Sequence, residues 1–308
     1  MRTVGVGTDG GQSRLSPNGP SERGAWGAAA ALMVSATLCF VILDSILKHL
    51  AESGFGIGML VTVRNLVQVL ALAALAPLIG RSILRPRRLG LNAARGLSVV
   101  LATVFITLSL THLPMAQTYA VTFSAPLIAA VLASLLLGER AGWRRWLCIL
   151  AGFGGVLVAL DPGGVGLEPA LFYPLAMAAA NAAFHVLTRL GRDEDPLAMT
   201  FWSGAAAFAI CAAALPWTFD PLPLPALALL GIGGLVGTAA HVLVAQAFRR
   251  APIALVSPMI YSQIVWASLV GFLAFGERPT AAAVLGAAIV TASGVALVRW
   301  ANPPAAKA

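Results

Sequence analysis

The chain has 308 residues, of which 59% are hydrophobic and only 10% are charged, and its formal net charge is +8. Soluble domains carry about 25% charged residues, so a chain this poor in charge cannot cover a water-facing surface and must face lipid. The positive charge needs no nucleic-acid partner, because Lys and Arg fall almost wholly in the loops between apolar runs, where membrane orientation demands them.

Residues 1–25 are rich in Gly, Ser, Arg and Pro and are predicted to be a disordered cytoplasmic tail. They do not resemble a secretory signal, since no cleavage site follows the first apolar run. Ten apolar runs follow, each near the ~20 residues that cross a bilayer as a helix. These spans cover 26–48, 57–79, 93–111, 114–137, 143–160, 170–190, 197–217, 226–248, 252–275 and 280–300, and residues 301–308 form a second tail.

The positive charges predict the orientation of the chain. All but three of the 20 Lys and Arg fall in tails and loops on the side of the N-terminus, the exceptions being Lys48, Arg64 and Arg278. Cytoplasmic loops carry such an excess of positive charge. We therefore expect both termini in the cytoplasm and the chain in a bacterial inner membrane.

One part of the chain occurs twice. Residues 114–140 match residues 252–278 in register at eight of 27 positions, and both copies end in Gly-Glu-Arg. The copies lie 138 residues apart, which is five spans. Because five is odd, the second half enters the membrane upside down, and inverted halves of this kind place a binding site between them. This predicts an all-α integral membrane protein with ten transmembrane helices, arranged as two inverted-topology five-helix repeats, 26–160 and 161–300.

These features resemble a known family. Arg64 in span two and a proline-initiated helix ending in Gly-Glu-Arg in each half, Pro114–Arg140 and Pro252–Arg278, are similar to the EamA branch of the drug/metabolite transporter superfamily. The resemblance covers roughly residues 26–300. It implies a secondary transporter (permease) that moves a small polar metabolite, such as an amino acid, S-adenosylmethionine or riboflavin, by alternating access. Such a transporter needs no ATP-binding domain, and the sequence contains no Gly-x-x-x-x-Gly-Lys-Ser/Thr loop.

Two charged residues in the spans are candidates for function. Asp44 is the only acid within a span, and Arg64 is the deepest base; intramembrane charges are expensive. At ~1.5 Å per residue they lie at comparable depth on adjacent antiparallel helices. We expect a gate or a binding pair for a zwitterionic substrate. The alternative is a static ion pair that locks the two helices, with Asp44 also bonded to Lys48 one turn later.

Two histidines are candidates for proton coupling. His185 lies in span six, with Asn181 one turn before it on the same face, and His241 lies in the middle of span eight. An intramembrane histidine can carry a proton near neutral pH, which makes the proton a candidate coupling ion. The alternative is a neutral imidazole that is hydrogen-bonded between helices.

The repeated spans four and nine are the candidate pocket walls. They contribute Tyr119 and Ser124 from the first copy, and Tyr261, Gln263 and Trp266 from the second. Aromatic walls with a few convergent polar groups are typical of small-ligand pockets, and they can hold a sulfonium or ammonium group. The alternative is that the hydroxyls bond their own helix backbone and that Trp266 faces lipid or the core.

The Gly-Glu-Arg corners are predicted to be turns rather than substrate contacts. Gly138 and Gly276 suit the left-handed conformation that often ends a helix. The charged residues that follow each glycine would then lie in the membrane interface.

No enzymatic motif is present. The sequence lacks a His-Glu-x-x-His motif, paired intramembrane aspartates and Cys/His clusters, so no catalytic residue, metal or cofactor is predicted. Cys39, Cys148 and Cys211 are predicted to be small packed hydrophobes. The expected partners are a small-molecule substrate, the lipid bilayer and protons. A non-transporting scaffold and a membrane-embedded enzyme remain alternatives, and the oligomeric state, monomer or homodimer, stays open.

Overall fold

The computed structural model describes residues 20–136, 143–160, 170, 172–191, 194–250 and 257–301, and their regular structure is helical, as predicted. The helices of the first half are α1 (Pro20–Glu52), α2 (Ile57–Ile79), α3 (Leu89–His112), α4 (Met115–Thr122), α5 (Ala125–Leu136) and α6 (Trp143–Leu160). Those of the second half are α7 (Phe172–Leu190), α8 (Pro196–Thr218), α9 (Leu224–Arg250), α10 (Ser262–Phe275) and α11 (Ala281–Ala301). Short 3-10 turns cover Arg81–Leu84 and Ser257–Tyr261.

The helices follow the predicted spans closely, with a difference at the first. Helix α1 begins at Pro20, so residues 20–25 extend this helix, whereas residues 1–19 and 302–308 lie outside the described residues. Among the described residues, five helices are long and apolar enough to cross a membrane: Gly27–Glu52, Ile57–Pro77, Leu89–His112, Leu197–Thr218 and Leu224–Val244. Shorter apolar helices cover Trp146–Ala159, Met259–Phe275 and Ala281–Ala296.

Spans four and nine were each predicted as one helix, and both depart from a regular α-helix part-way along, at positions that we call the helix breaks. Span four consists of α4 and α5, separated at Phe123 and Ser124, and span nine is the 3-10 turn Ser257–Tyr261 followed by α10. The repeat offset of 138 residues places Phe123 on Tyr261 and Ser124 on Ser262, so both helices change at the same position of the repeat. In the first copy, Pro126 has no N–H to donate to the Thr122 carbonyl, which ends α4 there.

The packing between helices follows the inverted repeat. Helix α1 packs against α9, and its counterpart α7 packs in the same way against α3. The pairs α2 with α8 and α6 with α11 each join equivalent helices of the two halves. Most helices therefore pack against the other half of the chain, so the two repeats intertwine and the interior between them belongs to both.

Small residues allow the contact between α6 and α11. A Cβ on Gly286 would lie 2.5 Å from the Ala159 nitrogen and 2.6 Å from the Gly155 carbonyl oxygen. Both are backbone atoms, which cannot turn aside as a side chain does. The close approach of these helices thus depends on the absence of a side chain at position 286.

Gly286→Ala is expected to force α6 and α11 apart and to lower the thermal unfolding midpoint in detergent, because overpacking costs about 1–3 kcal/mol. The matched control is Gly154→Ala, since no atom lies within 4 Å of a Cβ built there. Equal unfolding midpoints for both variants would contradict this account of the α6–α11 contact.

Candidate functional site

The two helix breaks meet in the interior. The rings of Phe123 and Tyr261 contact each other edge-to-face, with centroids 5.1 Å apart and planes at 80°. These residues occupy equivalent positions of the repeat, and equivalent residues touch only close to the axis that relates the two halves. The breaks in spans four and nine therefore lie at the centre of the inverted pair, where interrupted helices of transporters bind their ligands.

The hydroxyl groups at the two breaks are satisfied differently. In the second copy, the Ser262 hydroxyl lies 2.8 Å from the Thr37 hydroxyl of α1. In the first copy, the side-chain oxygens of Thr122 and Ser124 are buried and have no hydrogen-bond partner among the described residues. A buried unpaired hydroxyl is costly, which makes Thr122 and Ser124 candidate ligand contacts.

Three of the predicted site residues are in direct contact. The Tyr119 hydroxyl donates a 2.5 Å hydrogen bond to Asp44 Oδ2, and it also interacts with the side chain of Gln263. Tyr119 is only 1% exposed, whereas Asp44 is half-buried. This cluster joins α1 and α4 of the first repeat to α10 of the second.

Arg64 lies near this cluster, but the expected Asp44–Arg64 ion pair is not formed. Arg64 Nη1 donates to the Thr103 hydroxyl at 2.8 Å, while its Nε has no partner among the described residues. Its charge nevertheless interacts with that of Asp44. The bond from Asp44 to Lys48, which belonged to the alternative of a static ion pair, is also absent: Asp44 accepts from Tyr119, and Lys48 contacts Glu52 and Glu277.

Asp44 and Arg64 are two charged side chains in the interior that are not paired with each other. Arg64 is 5% exposed, and within the described part of the chain neither Arg64 nor Asp44 takes part in a salt bridge. A buried charge is stable only when it is paired or well hydrogen-bonded. Asp44 and Arg64 thus interact electrostatically without forming a direct ion pair.

His241 and Trp266 border the same region. His241 packs edge-to-face on Phe40, with centroids 5.1 Å apart, and lies within electrostatic reach of Arg64. Trp266 packs against the apolar cluster that contains Tyr119. It is therefore partly buried in the core and does not simply face lipid. The Trp266 indole nitrogen has no partner among the described residues.

No contact of His185 or Asn181 with Asp44 is found among the described residues. Met177 of α7 packs on the Tyr119 cluster, and Asn181 and His185 follow one and two turns later on that face. His185 is exposed and lies within electrostatic reach of Arg95. The polar face of α7 therefore leads from the Tyr119 cluster towards the end of the bundle where α7 finishes.

Sequence reasoning missed one contact, made by the second Gly-Glu-Arg corner. Gly276 has φ 67, which confirms its predicted left-handed conformation, but Glu277 is more than part of a turn. Its Oε1 pairs with Lys48 Nζ, and its Oε2 accepts a 2.8 Å hydrogen bond from the Met115 N–H. We call this contact the Glu277 bridge, and we call the end of the bundle where it lies the Glu277 end. The first corner, with Gly138, lies outside the described residues.

Comparison with known proteins identifies a family. The family described as "EamA-like transporter family" matches the chain twice, at residues 27–160 and 169–300. A protein named "Riboflavin transporter" from Vibrio cholerae serotype O1 is 27% identical over 279 residues, which cover 87% of this chain and 92% of the relative. A protein named "S-adenosylmethionine uptake transporter" from Rickettsia bellii is 28% identical over 214 residues, which cover 68% of this chain and 73% of the relative.

A solved structure, described only as "Crystal structure of protein", shares the fold. It superposes with a TM-score of 0.59 at 20% sequence identity and covers 90% of this chain and 99% of that chain. The interrupted helices and their central contact thus lie in an architecture that has been observed by experiment.

Tyr119→Phe is expected to destabilise the fold, because the half-buried Asp44 carboxylate loses its hydrogen bond, and a bond to a charged group contributes about 1.5–3 kcal/mol. The measurement is the thermal unfolding midpoint in detergent. The matched control is Tyr173→Phe, since Tyr173 packs edge-to-face on His112 and no hydrogen bond of its hydroxyl is found among the described residues. Equal midpoints for the two variants would show that the Asp44–Tyr119 bond contributes nothing to stability.

Proposed function

The chain belongs to the EamA-like transporter family, and we propose that it is a secondary transporter that carries a small polar metabolite across a bacterial inner membrane by alternating access. The observation that carries this proposal is the meeting of the two helix breaks, where Phe123 contacts Tyr261. An inverted pair of repeats can exchange conformations between its halves, which opens a central site first to one side of the membrane and then to the other.

The orientation follows from the positive charges. With both termini in the cytoplasm, the Glu277 end faces the periplasm and the opposite end, where α7 finishes at Leu190, faces the cytoplasm. His185 is exposed on the α7 face that also carries Met177, a residue packed against the Tyr119 cluster. The Glu277 bridge joins the two repeats at the periplasmic end, which supports a site that is closed on that side.

The charges of the site favour a zwitterionic substrate. Asp44 suits an ammonium group and Arg64 a carboxylate, and the two side chains stand near each other outside any salt bridge of the described residues. A ligand that carries both groups would compensate both charges at once. The rings of Phe123 and Tyr261 add an aromatic wall on which a sulfonium or ammonium group can rest.

Amino acids and S-adenosylmethionine have this combination of charges, and the relative from Rickettsia bellii bears a name that indicates S-adenosylmethionine uptake. Riboflavin is the substrate in the name of another relative, and it would use the aromatic rings and the Thr122 and Ser124 hydroxyls instead. His185 and His241 are the candidate sites for coupling to a proton gradient, and a substrate gradient is the alternative driving force.

A flux assay tests the function. The purified protein in liposomes is expected to take up labelled S-adenosylmethionine, amino acids or riboflavin with saturable kinetics, and unlabelled substrate inside the vesicles should accelerate uptake. A channel would show no saturation or acceleration, and a scaffold would show no uptake. Either result for all these substrates would contradict the proposed function.

We expect the variants Asp44→Asn and Arg64→Ala to insert into the membrane at near-normal levels. Each should reduce uptake of a zwitterionic substrate by roughly tenfold or more, because each loses one hydrogen bond to a charged group, which contributes about 1.5–3 kcal/mol. The controls are Asp220→Asn, because Asp220 accepts the Gly56 N–H and asparagine keeps an oxygen that can do so, and Arg250→Ala, because Arg250 bonds only to Gln246 among the contacts found in the described residues. Uptake per folded molecule equal to that of the controls would contradict the assigned roles of Asp44 and Arg64.

A further inference from the structure

We propose that Glu277 is a gating residue of the transport cycle. Its carboxylate closes the candidate site at the Glu277 end by joining α1 and α4 of the first repeat to the second repeat, and it releases both helices when that end opens. This inference rests on the proposed function, since a gate has meaning only for a site that opens to two sides.

The bridge has the connections that a gate requires. One carboxylate oxygen pairs with Lys48 of α1, and the other accepts the Met115 N–H at the start of α4. The Lys48 side chain is 4% exposed, the Glu277 side chain is 16% exposed, and the Lys48 ammonium also lies 4.8 Å from the centre of the Phe275 ring. This salt bridge therefore connects the two repeats directly.

The bridge lies directly over the candidate site. Lys48 follows Asp44 by one turn of α1, and Met115 precedes Tyr119 by one turn of α4. The Glu277 bridge and the Asp44–Tyr119 bond are therefore two successive levels of the same contact between α1 and α4, about 6 Å apart. A substrate that approached Asp44 from the Glu277 end would first have to displace Glu277.

The surroundings of the bridge let it open reversibly. Glu277 lies on the short connection between α10 and α11, so its carboxylate can withdraw without breaking a helix. Lys48 also lies 3.5 Å from Glu52 on its own helix and would keep an acidic partner after Glu277 leaves. An ammonium with no partner would be strongly unfavourable at this depth.

A glycine leaves room for the closed position of Glu277. A Cβ on Gly271 would lie 2.7 Å from Glu277 Oε2, the same oxygen that accepts the Met115 N–H. The carboxylate thus folds back over α10 at a point where any side chain would push it away. Gly271→Ala therefore disturbs the gate without changing a charge.

The test measures access to a cysteine placed between the two levels. Ser45 lies on α1 beside Met115, with its hydroxyl 3.8 Å from the Met115 sulfur, and Ser45→Cys in a chain whose Cys39, Cys148 and Cys211 are replaced gives a single reporter. The protein is embedded in vesicles, and a membrane-impermeant maleimide is added on the Glu277 side. Glu277→Gln is expected to raise the labelling rate roughly tenfold, as the loss of a charged hydrogen bond predicts.

Two controls separate gating from a general effect. Glu52→Gln removes the other acidic partner of Lys48 but leaves the bridge between the repeats, so the labelling rate should stay at the parent value. Gly271→Ala should raise the rate as Glu277→Gln does, whereas Gly231→Ala should not, because no atom lies within 4 Å of a Cβ at Gly231. Glu277→Asp should restore part of the closure.

The labelling result is independent of transport. Equal labelling of the parent, Glu277→Gln and Gly271→Ala would overturn the gate, even if the parent transports normally in the flux assay. A rate that rises equally in Glu52→Gln would also overturn it, because the loss of any charge near Lys48 would then suffice. Absence of flux from the parent protein would instead contradict the proposed function.

Discussion

The hydrocarbon core of a bilayer offers no hydrogen-bonding partner, and this constraint governs where the chain places its polar groups. Most hydroxyls in the described spans follow it by bonding the carbonyl one turn earlier, as Ser45 does with Val41 and Thr62 with Gly58. Thr122 and Ser124 do not, and both lie beside the central helix break. Because Thr122 and Ser124 are buried without a partner, they are candidate ligand contacts rather than lipid-facing groups.

The inverted repeat arranges the helices symmetrically, but the side chains at its centre differ between the two halves. The symmetry is seen at the breaks of spans four and nine, which fall at equivalent positions and meet at Phe123 and Tyr261. The side chains around them differ, since Ser262 is paired with Thr37 while Ser124 is unpaired. Symmetry thus explains how the site can open in two directions, and asymmetry explains how it can be selective for one kind of ligand.

The sequence predicted the helical architecture and the inversion, because both depend on features spread along the chain: the length of the apolar runs and the spacing of the Gly-Glu-Arg copies. It did not predict the helix breaks, since Pro126 and Pro258 fall at different positions of the repeat. The sequence led us to expect Asp44 and Arg64 at comparable depth, but depth does not fix rotation about a helix axis, and Tyr119 is the partner of Asp44. The contacts of Glu277 could not be predicted, because Gly276 indicates a turn but does not show which residues the following carboxylate will contact.

The most direct test of the account follows both ends of the bundle in the same sample. Spin labels at Ser53 and Pro279 report on the Glu277 end, and labels at Arg87 and Arg250 report on the opposite end; all four positions are exposed. Pulsed distance measurements in vesicles, with and without a transported substrate, should show one distance increasing as the other decreases. Two distances that change in the same direction, or that stay fixed during transport, would contradict alternating access between the inverted halves.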